Sequence, residues 1–164
     1  MYNNYYPVNA PMEDTYSFHV AGITYHDKEL KKVINSLLED GKLEKYQGFT
    51  NKDLIDFNMS DLSIYEDQLL NGVQIESYMY DGMQAFKVSI ADAEGNYYEI
   101  GNVPRHDIRS VKQLLNNMQS ITKVEYEIVG GKRKNVEYDD KPYVEEETLN
   151  YGVIVYIHFM IYYQ

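Results

Sequence analysis

The chain has 164 residues, among them 18 tyrosines but no cysteine, and its formal net charge is −11. This length fits one domain with a tail and an insertion, and the lack of cysteine excludes disulfides and thiolate zinc sites, as expected of a protein in the reducing cytoplasm. The strong negative charge disfavours general affinity for the nucleic-acid backbone.

Positive and negative charges are separated along the chain. Residues 39–81 hold ten acids and three lysines, whereas residues 102–134 hold seven basic residues and three acids. The simplest interpretation is that both segments contribute solvated faces. The alternative is that one of them forms a binding surface.

The first 14 residues (1–14) contain two prolines and three asparagines without hydrophobic periodicity, which predicts a flexible N-terminal tail. They have neither a basic start nor an apolar run, so we expect no signal peptide. Residues 15–164 are predicted to form one domain. Its most apolar stretch, Val153–Tyr163, is too short to cross a bilayer as a helix and is interpreted as a core strand.

The first half of the domain begins with a strand and a helix. Thr15–Tyr25 is rich in β-branched and aromatic residues and predicts a strand, with a bulge or a close backbone approach at Gly22. An amphipathic helix follows, and Gly41 is its expected C-cap. Its apolar residues have the i, i+3, i+4, i+7, i+8 spacing: Leu30, Val33, Ile34, Leu37 and Leu38. We expect short helical turns and loop over residues 42–70.

From residue 73 the hydrophobic period changes to two, which indicates β-strands. Val73–Met79 and Phe86–Ile90 alternate on either side of a turn at Asp81–Gly82. A second hairpin signal, Glu94–Asn96, precedes a strand at Tyr97–Gly101.

A second helix is predicted after Pro104, with Asp107 as its N-cap. Its apolar stripe consists of Ile108, Val111, Leu114, Leu115 and Met118.

The C-terminal third is expected to be mostly strand. Val124–Ile128 alternates and is expected to end at Gly130–Gly131, and Val136–Tyr143 is a weak strand. Asp139, Asp140 and Glu145–Glu147 are interpreted as an acidic loop, and Tyr151–Tyr163 as the longest strand, buried on both faces.

Together these elements predict a mainly β (α+β) protein. Six or seven short strands and two helices without a βαβ rhythm favour a small mixed or antiparallel barrel with helices packed on it. The predicted core comprises Phe18, Val20, Val88, Ile90, Val155, Ile157 and Phe159.

No pattern indicates catalysis, a metal site or a cofactor. The four histidines have no metal-binding spacing, and His158, within an apolar strand, is more typical of a hydrogen-bonded core residue than of a ligand. Gly130–Gly131–Lys132 lacks the spacing of a phosphate loop and is interpreted as a turn. We find no nucleophile elbow or triad order. The expectation is therefore a non-catalytic binding protein.

Three segments, in this order, resemble the HIRAN family. Phe18–Tyr25 is similar to the family's opening strand with its Gly turn and following aromatic residue. Tyr80–Val88 resembles its Tyr-Asp-x-Asn-Ala-x-x-Val signature, with one extra residue and Gln84 in place of the asparagine. Ile100–Arg105 is close to its Ile-Gly-x-Val/Ile-Pro-Arg/Lys segment, which a helix follows.

The resemblance implies a six-stranded OB/SH3-like barrel with two packed helices, and a helical insertion at about residues 27–72. In DNA-end-binding members of the family such a domain captures the 3′ end of a single strand. Carried over by position, the implied nucleic-acid-binding residues are Tyr25, Tyr80, Asp81, Asn102, Arg105 and Tyr151. The chain departs from that pattern at Thr24, His26 and Tyr78.

Two functional hypotheses follow. The first is weak binding of single-stranded DNA ends carrying a 3′ hydroxyl, in DNA processing or repair, with the basic run Lys132, Arg133 and Lys134 added to the implied site. The second is an acidic protein-binding module or DNA-mimic inhibitor, possible in a phage setting, that binds a basic nucleic-acid-processing protein. Neither hypothesis involves a membrane.

Overall fold

The computed structural model describes residues 10–162, of which 48% form β-strands and 27% form helices, one-turn 3-10 helices included. The protein is therefore mainly β, as predicted. Three α-helices are present in this part of the chain: α1 (Asp27–Glu39), α2 (Asn51–Asp56) and α3 (Ile108–Leu115). The same part of the chain contains eight strands: β1 (Met12–His19), β2 (Leu62–Ser63), β3 (Leu70–Asn71), β4 (Val73–Tyr80), β5 (Met83–Ala91), β6 (Tyr97–Asn102), β7 (Ile121–Tyr138) and β8 (Pro142–Ile161).

The strands form two antiparallel sheets. The larger sheet has the order β1-β8-β7-β2, with β3 also paired to β7, and it curls into a half-barrel. The second sheet has the order β4-β5-β6. Within residues 10–162, no helix is long and apolar enough to cross a membrane.

The two sheets are joined at two points. Gly72 links β3 to β4 with φ of 100°, and a β-carbon there would lie 2.5 Å from Cβ of Ala91, so the chain can turn this closely only at a glycine. At the other point, Ala21 pairs with Asn102 at the end of β6 through two backbone hydrogen bonds, 2.8 and 2.9 Å long. The two sheets are therefore connected by the chain itself at Gly72 and by backbone hydrogen bonds between Ala21 and Asn102.

One hydrophobic core fills the space between the sheets and the helices. Six of the seven predicted core residues are buried, whereas Phe159 is half-buried near the end of β8. Residues 27–72 contribute much of this core: Leu30, Leu37, Tyr46, Leu54 and Ile64 are all buried in it. This segment is therefore packed into the domain and is not a solvated loop.

The N-terminal strand differs from the prediction at both ends. β1 begins at Met12, inside the predicted tail, and residues 1–9 lie outside the described part. The strand ends at His19, because Gly22 adopts a left-handed conformation with φ of 80° and a 3-10 turn at Ile23–His26 leads directly into α1. β-propensity alone therefore misassigned the end of this segment.

β7 does not end at Gly130–Gly131, as predicted, but bends there. Both glycines have positive φ and form a bulge, and a β-carbon at Gly131 would lie 2.1 Å from Cε1 of Tyr151. The strand then continues to Tyr138. Glu145–Glu147, predicted as a loop, are paired in β8 with Asn135, Lys134 and Arg133.

Two finer predictions were wrong, and a third was right only in position. Met118 lies past α3 in a 3-10 turn and is 66% exposed. Asp107 occupies the N-cap position of α3, as predicted, but makes no capping hydrogen bond, because its buried carboxylate accepts a hydrogen bond from Tyr16 instead. The last strand is fully buried on one face only: Val153, Val155 and Ile157 point into the core, and the alternate residues are half-buried.

Val155 is fully buried on β8, so Val155→Asp should abolish cooperative unfolding, because it places an unpaired charge in the core. Leu149→Asp is the matched control: this residue lies on the same strand but is exposed, and the change should cost no more than about 0.5 kcal/mol. Thermal melts followed by circular dichroism compare the two. A cooperative, wild-type-like melt of Val155→Asp would contradict the position of β8.

Candidate functional site

The β4–β5 turn and the start of α3 form a cleft. Asp81 and Gly82 both have positive φ, 49° and 73°, as in the tight two-residue turns that match the twist of a hairpin. This turn leaves Tyr80 at the end of β4 with 71% of its surface exposed. Across from it, Arg105 is exposed in the 3-10 turn that precedes α3.

Tyr80, Asp81 and Arg105 line one cavity of about 130 Å³ together with Met83, Gln84, Ala85 and Ile108; we call it the hairpin cleft. Its walls are mostly apolar, and its polar groups are a phenol, a carboxylate, an amide and a guanidinium. Three of the sequence-predicted site residues are therefore brought together from segments about 25 residues apart in the sequence.

Tyr25 and Asn102 lie at the junction of the two sheets. Tyr25 is 89% exposed in the turn that begins at Gly22, and Ala21, immediately before that turn, is paired with Asn102. The amide oxygen of Asn102 accepts a hydrogen bond of 2.7 Å from the hydroxyl of Tyr78. Tyr78, one of the departures from the family pattern, thus fixes the Asn102 side chain.

Tyr151 lies in a different place. It packs over Gly131 and stacks on Tyr65 with ring centroids 6.3 Å apart and an angle of 18°. Together with Lys132, it lines a groove beside α1 and not the hairpin cleft. The structure therefore separates Tyr151 from Tyr80.

The basic run on β7 is engaged by acids of its neighbours. Arg133 lies 2.9 Å from a carboxylate oxygen of Asp61 and 2.7 Å from one of Glu147, and Lys132 lies 3.7 Å from Glu146. Lys134 donates to the side chain of Asn51 and sits 4.3 Å above the ring of Tyr46. The close contacts of Arg133 and Lys134 disfavour a free phosphate-binding role for these two residues, whereas the longer Lys132–Glu146 pair is open to water.

Two basic residues near the cleft were missed by the sequence analysis. Arg109 and Lys112 are exposed on α3, and neither they nor Arg105 form an ion pair with any carboxylate of the described chain. A signal was present, because residues 105, 109 and 112 are three basic residues at and just after the start of the predicted helix.

His158 is a hydrogen-bonded residue of the sheet, as predicted, although it is half-buried on the outer face. Its Nδ1 lies 2.8 Å from the hydroxyl of Thr15, and its Nε2 lies 2.8 Å from a carboxylate oxygen of Glu125. Lys123 lies 3.0 Å from the other oxygen of the buried Glu125. This network joins β1, β8 and β7. Within residues 10–162, no group of three potential ligands is arranged to hold a metal ion.

Comparisons with protein-family models, curated proteins and solved structures found no match to the chain.

Acid should destabilise the protein partly through Glu125. Burial raises the pKa of its carboxyl, but hydrogen bonds from Lys123 and His158 outweigh burial and hold the pKa below its ordinary value. The stabilisation is therefore complete above the ordinary carboxyl pKa of about 4.3 and is lost as the pH falls through the lower folded-state pKa. Wild type should lose more stability than Glu125→Gln between about pH 5 and pH 3. Urea titrations at each pH measure the free energy of unfolding. Glu137→Gln, at an exposed position, is the control and should lose stability with falling pH as much as wild type does.

Arg133→Gln should lower the free energy of unfolding measurably, because it removes two ion pairs around a side chain that is 33% exposed. Lys141→Gln, at the exposed β7–β8 turn, should have no such effect. Urea unfolding of both variants checks this. A stability equal to wild type for Arg133→Gln would show that these ion pairs do not hold the strand.

Proposed function

We propose that the protein is a non-catalytic, cytoplasmic binding module for the ends of single-stranded DNA, built on a HIRAN-type barrel. The observation that carries the proposal is the hairpin cleft, in which Tyr80, Asp81 and Arg105 line one cavity. Its residues suit the end of a strand: an exposed tyrosine ring can stack on a terminal base, and a guanidinium can bind the adjoining phosphate. The Asp81 carboxylate can accept a hydrogen bond from a free 3′ hydroxyl.

The backbone phosphates would follow α3 rather than β7. Arg105, in the turn before α3, and Arg109 and Lys112 on α3 are exposed and unpaired within the described chain, whereas Arg133 already forms two ion pairs. Because the whole molecule carries a charge of −11, attraction has to come from such a local cluster. Tyr25 and Asn102, at the sheet junction, are the further contacts we assign to the strand.

The chain path supports the barrel that this proposal requires. β3 and β4 form one strand that bends at Gly72 and serves both sheets, and the Ala21–Asn102 pair joins the opposite edges. We propose that these two junctions close a six-stranded OB-like barrel, with α3 packed across one end. In such barrels, binding residues collect on strands and loops of one side.

Fluorescence anisotropy with short labelled strands tests the function. A strand with a 3′ hydroxyl should bind more tightly than one with a 3′ phosphate, because the added phosphate would meet the carboxylate of Asp81. Three phosphate contacts predict a log–log salt slope of about −2 for single strands. Tyr80→Ala should weaken binding by at least about tenfold, since stacking contributes about 1–3 kcal/mol per base.

Tyr138→Ala is the matched control, because Tyr138 is 66% exposed and lies at the distant β7–β8 turn. This variant and Arg133→Gln should bind like wild type. If neither strand binds at micromolar protein in low salt, the proposal fails.

The second candidate is the acidic protein-binding module. It is favoured by the exposure of eight of the ten acids in residues 39–81: Glu39, Asp40, Glu44, Asp56, Asp61, Asp67, Glu76 and Asp81. A basic nucleic-acid-processing protein would be its partner. This candidate predicts that neither DNA strand binds and that a basic protein binds these exposed acids in a salt-sensitive way. The double variant Asp56→Asn with Asp67→Asn should weaken binding of that protein.

A further inference from the structure

A second groove, which we call the lysine groove, lies between α1 and the bent part of β7 and β8. Its volume is about 270 Å³, and its lining includes the ammonium-bearing side chains of Lys31, Lys45 and Lys132. No carboxylate is among its lining residues. On a chain with a net charge of −11, three lysines around one groove without an acid between them form a local region of opposite sign.

Two of the three lysines form ion pairs, and their partners are not among the lining residues of the groove. Lys31 lies 2.8 Å from Asp27, one helical turn back, and Lys132 lies 3.7 Å from Glu146. Both pairs are open to water, so each contributes little. Lys45 forms no ion pair with any described residue. The hydrogen bond to Asp27 raises the pKa of Lys31, which keeps it charged.

Neutral hydrogen-bond donors complete the wall. Tyr65 is buried, and burial, followed by the nearby Tyr151, raises the pKa of its hydroxyl to about 12, so the phenol remains protonated. Tyr151 stacks beside it, and the amide of Asn35 reaches the groove from α1. The groove thus offers positive charge and proton donors but no fixed negative charge, which is the environment that an oxyanion requires.

The chain geometry builds this arrangement. The bulge at Gly130–Gly131 lets the Tyr151 ring lie against the β7 backbone, where any other residue at 131 would collide with it. The same bulge precedes Lys132 and directs the strand past α1. The groove therefore depends on the bulge at Gly130–Gly131.

We propose that the lysine groove binds a phosphate-bearing anion, either free phosphate or the phosphate of a small monoester such as a nucleotide. Lysine ammonium groups act as point charges toward phosphate, and the tyrosine and asparagine side chains donate to its remaining oxygens. This site is separate from the hairpin cleft and does not depend on DNA-end binding there.

The test uses isothermal titration calorimetry and thermal shift with three probes: inorganic phosphate, adenosine monophosphate and adenosine. Phosphate and the nucleotide should bind and raise the melting temperature, and adenosine should not. Lys45→Gln should weaken binding of both anions by about tenfold, because a charge-assisted contact is lost. Lys52→Gln, an exposed lysine of α2 outside the groove, is the matched control and should bind like wild type.

Two further results separate this site from others. Tyr80→Ala should leave phosphate binding unchanged, whereas it should impair single-strand binding. Without ligand, Lys45→Gln should melt like wild type, because Lys45 forms no ion pair with any described residue. Binding of adenosine as strong as that of the nucleotide, equal effects of the Lys45 and Lys52 variants, or no binding of either anion at millimolar concentration would each overturn the proposal.

Discussion

The bend of the β7–β8 ladder at Gly130–Gly131 is the constraint on which the rest of the molecule depends. These two strands are the longest in the structure, and their pairing runs from Ile121 and Phe159 at one end to Tyr138 and Pro142 at the other. Straight strands of this length would extend beyond any core that the chain could supply. Two glycines with positive φ form a bulge in the ladder, and both halves stay in the larger sheet: β3 pairs with β7 before the bulge and β2 pairs with β7 after it.

The two halves of the ladder have different electrostatics. Beyond the bend, Arg133 of β7 faces Glu147 of β8 and Asp61 of the segment before β2, so its charge is compensated, whereas the 3.7 Å pair of Lys132 with Glu146 is open to water. Before the bend, a single buried carboxylate, Glu125, serves His158 and Lys123. Of the basic side chains that line the hairpin cleft and the lysine groove, Arg105 and Lys45 form no ion pair within residues 10–162. Pairing, and not the number of charges in a segment, determines where an anion can bind.

Much of the fold could be predicted from local pattern. Alternation located β4 to β6 and the core residues of β8, and the helical spacing located α1 to within three residues, because these segments bury one face and their period reports it. The predictions failed where contacts between distant parts of the chain determine the local structure. Gly130–Gly131 looks like a strand terminator, yet the Tyr151 ring and the β8 partner keep the strand paired. Likewise, the ion pairs of Lys132 and Arg133 with Glu146 and Glu147 depend on a β7–β8 hairpin that the local pattern did not reveal, and Asp61 is far from Arg133 in the sequence. Tyr80, Asp81 and Arg105 could be identified from the family-like segments, but only the structure places them around one cavity.

The position of β8 has a consequence for synthesis of the protein. β8 is the last of the described strands, yet it lies inside the larger sheet, between β7 and the N-terminal strand β1, with Met12 opposite Ile161. As the chain leaves the ribosome, β1 therefore has no partner until β8 has been made. Contacts that join such distant parts of a sequence form slowly, and an unpaired strand can associate with other chains in the meantime. Glu13 and Asp14 are exposed on β1 and place negative charge on this unpaired strand. Their charge opposes pairing of β1 with a second nascent chain.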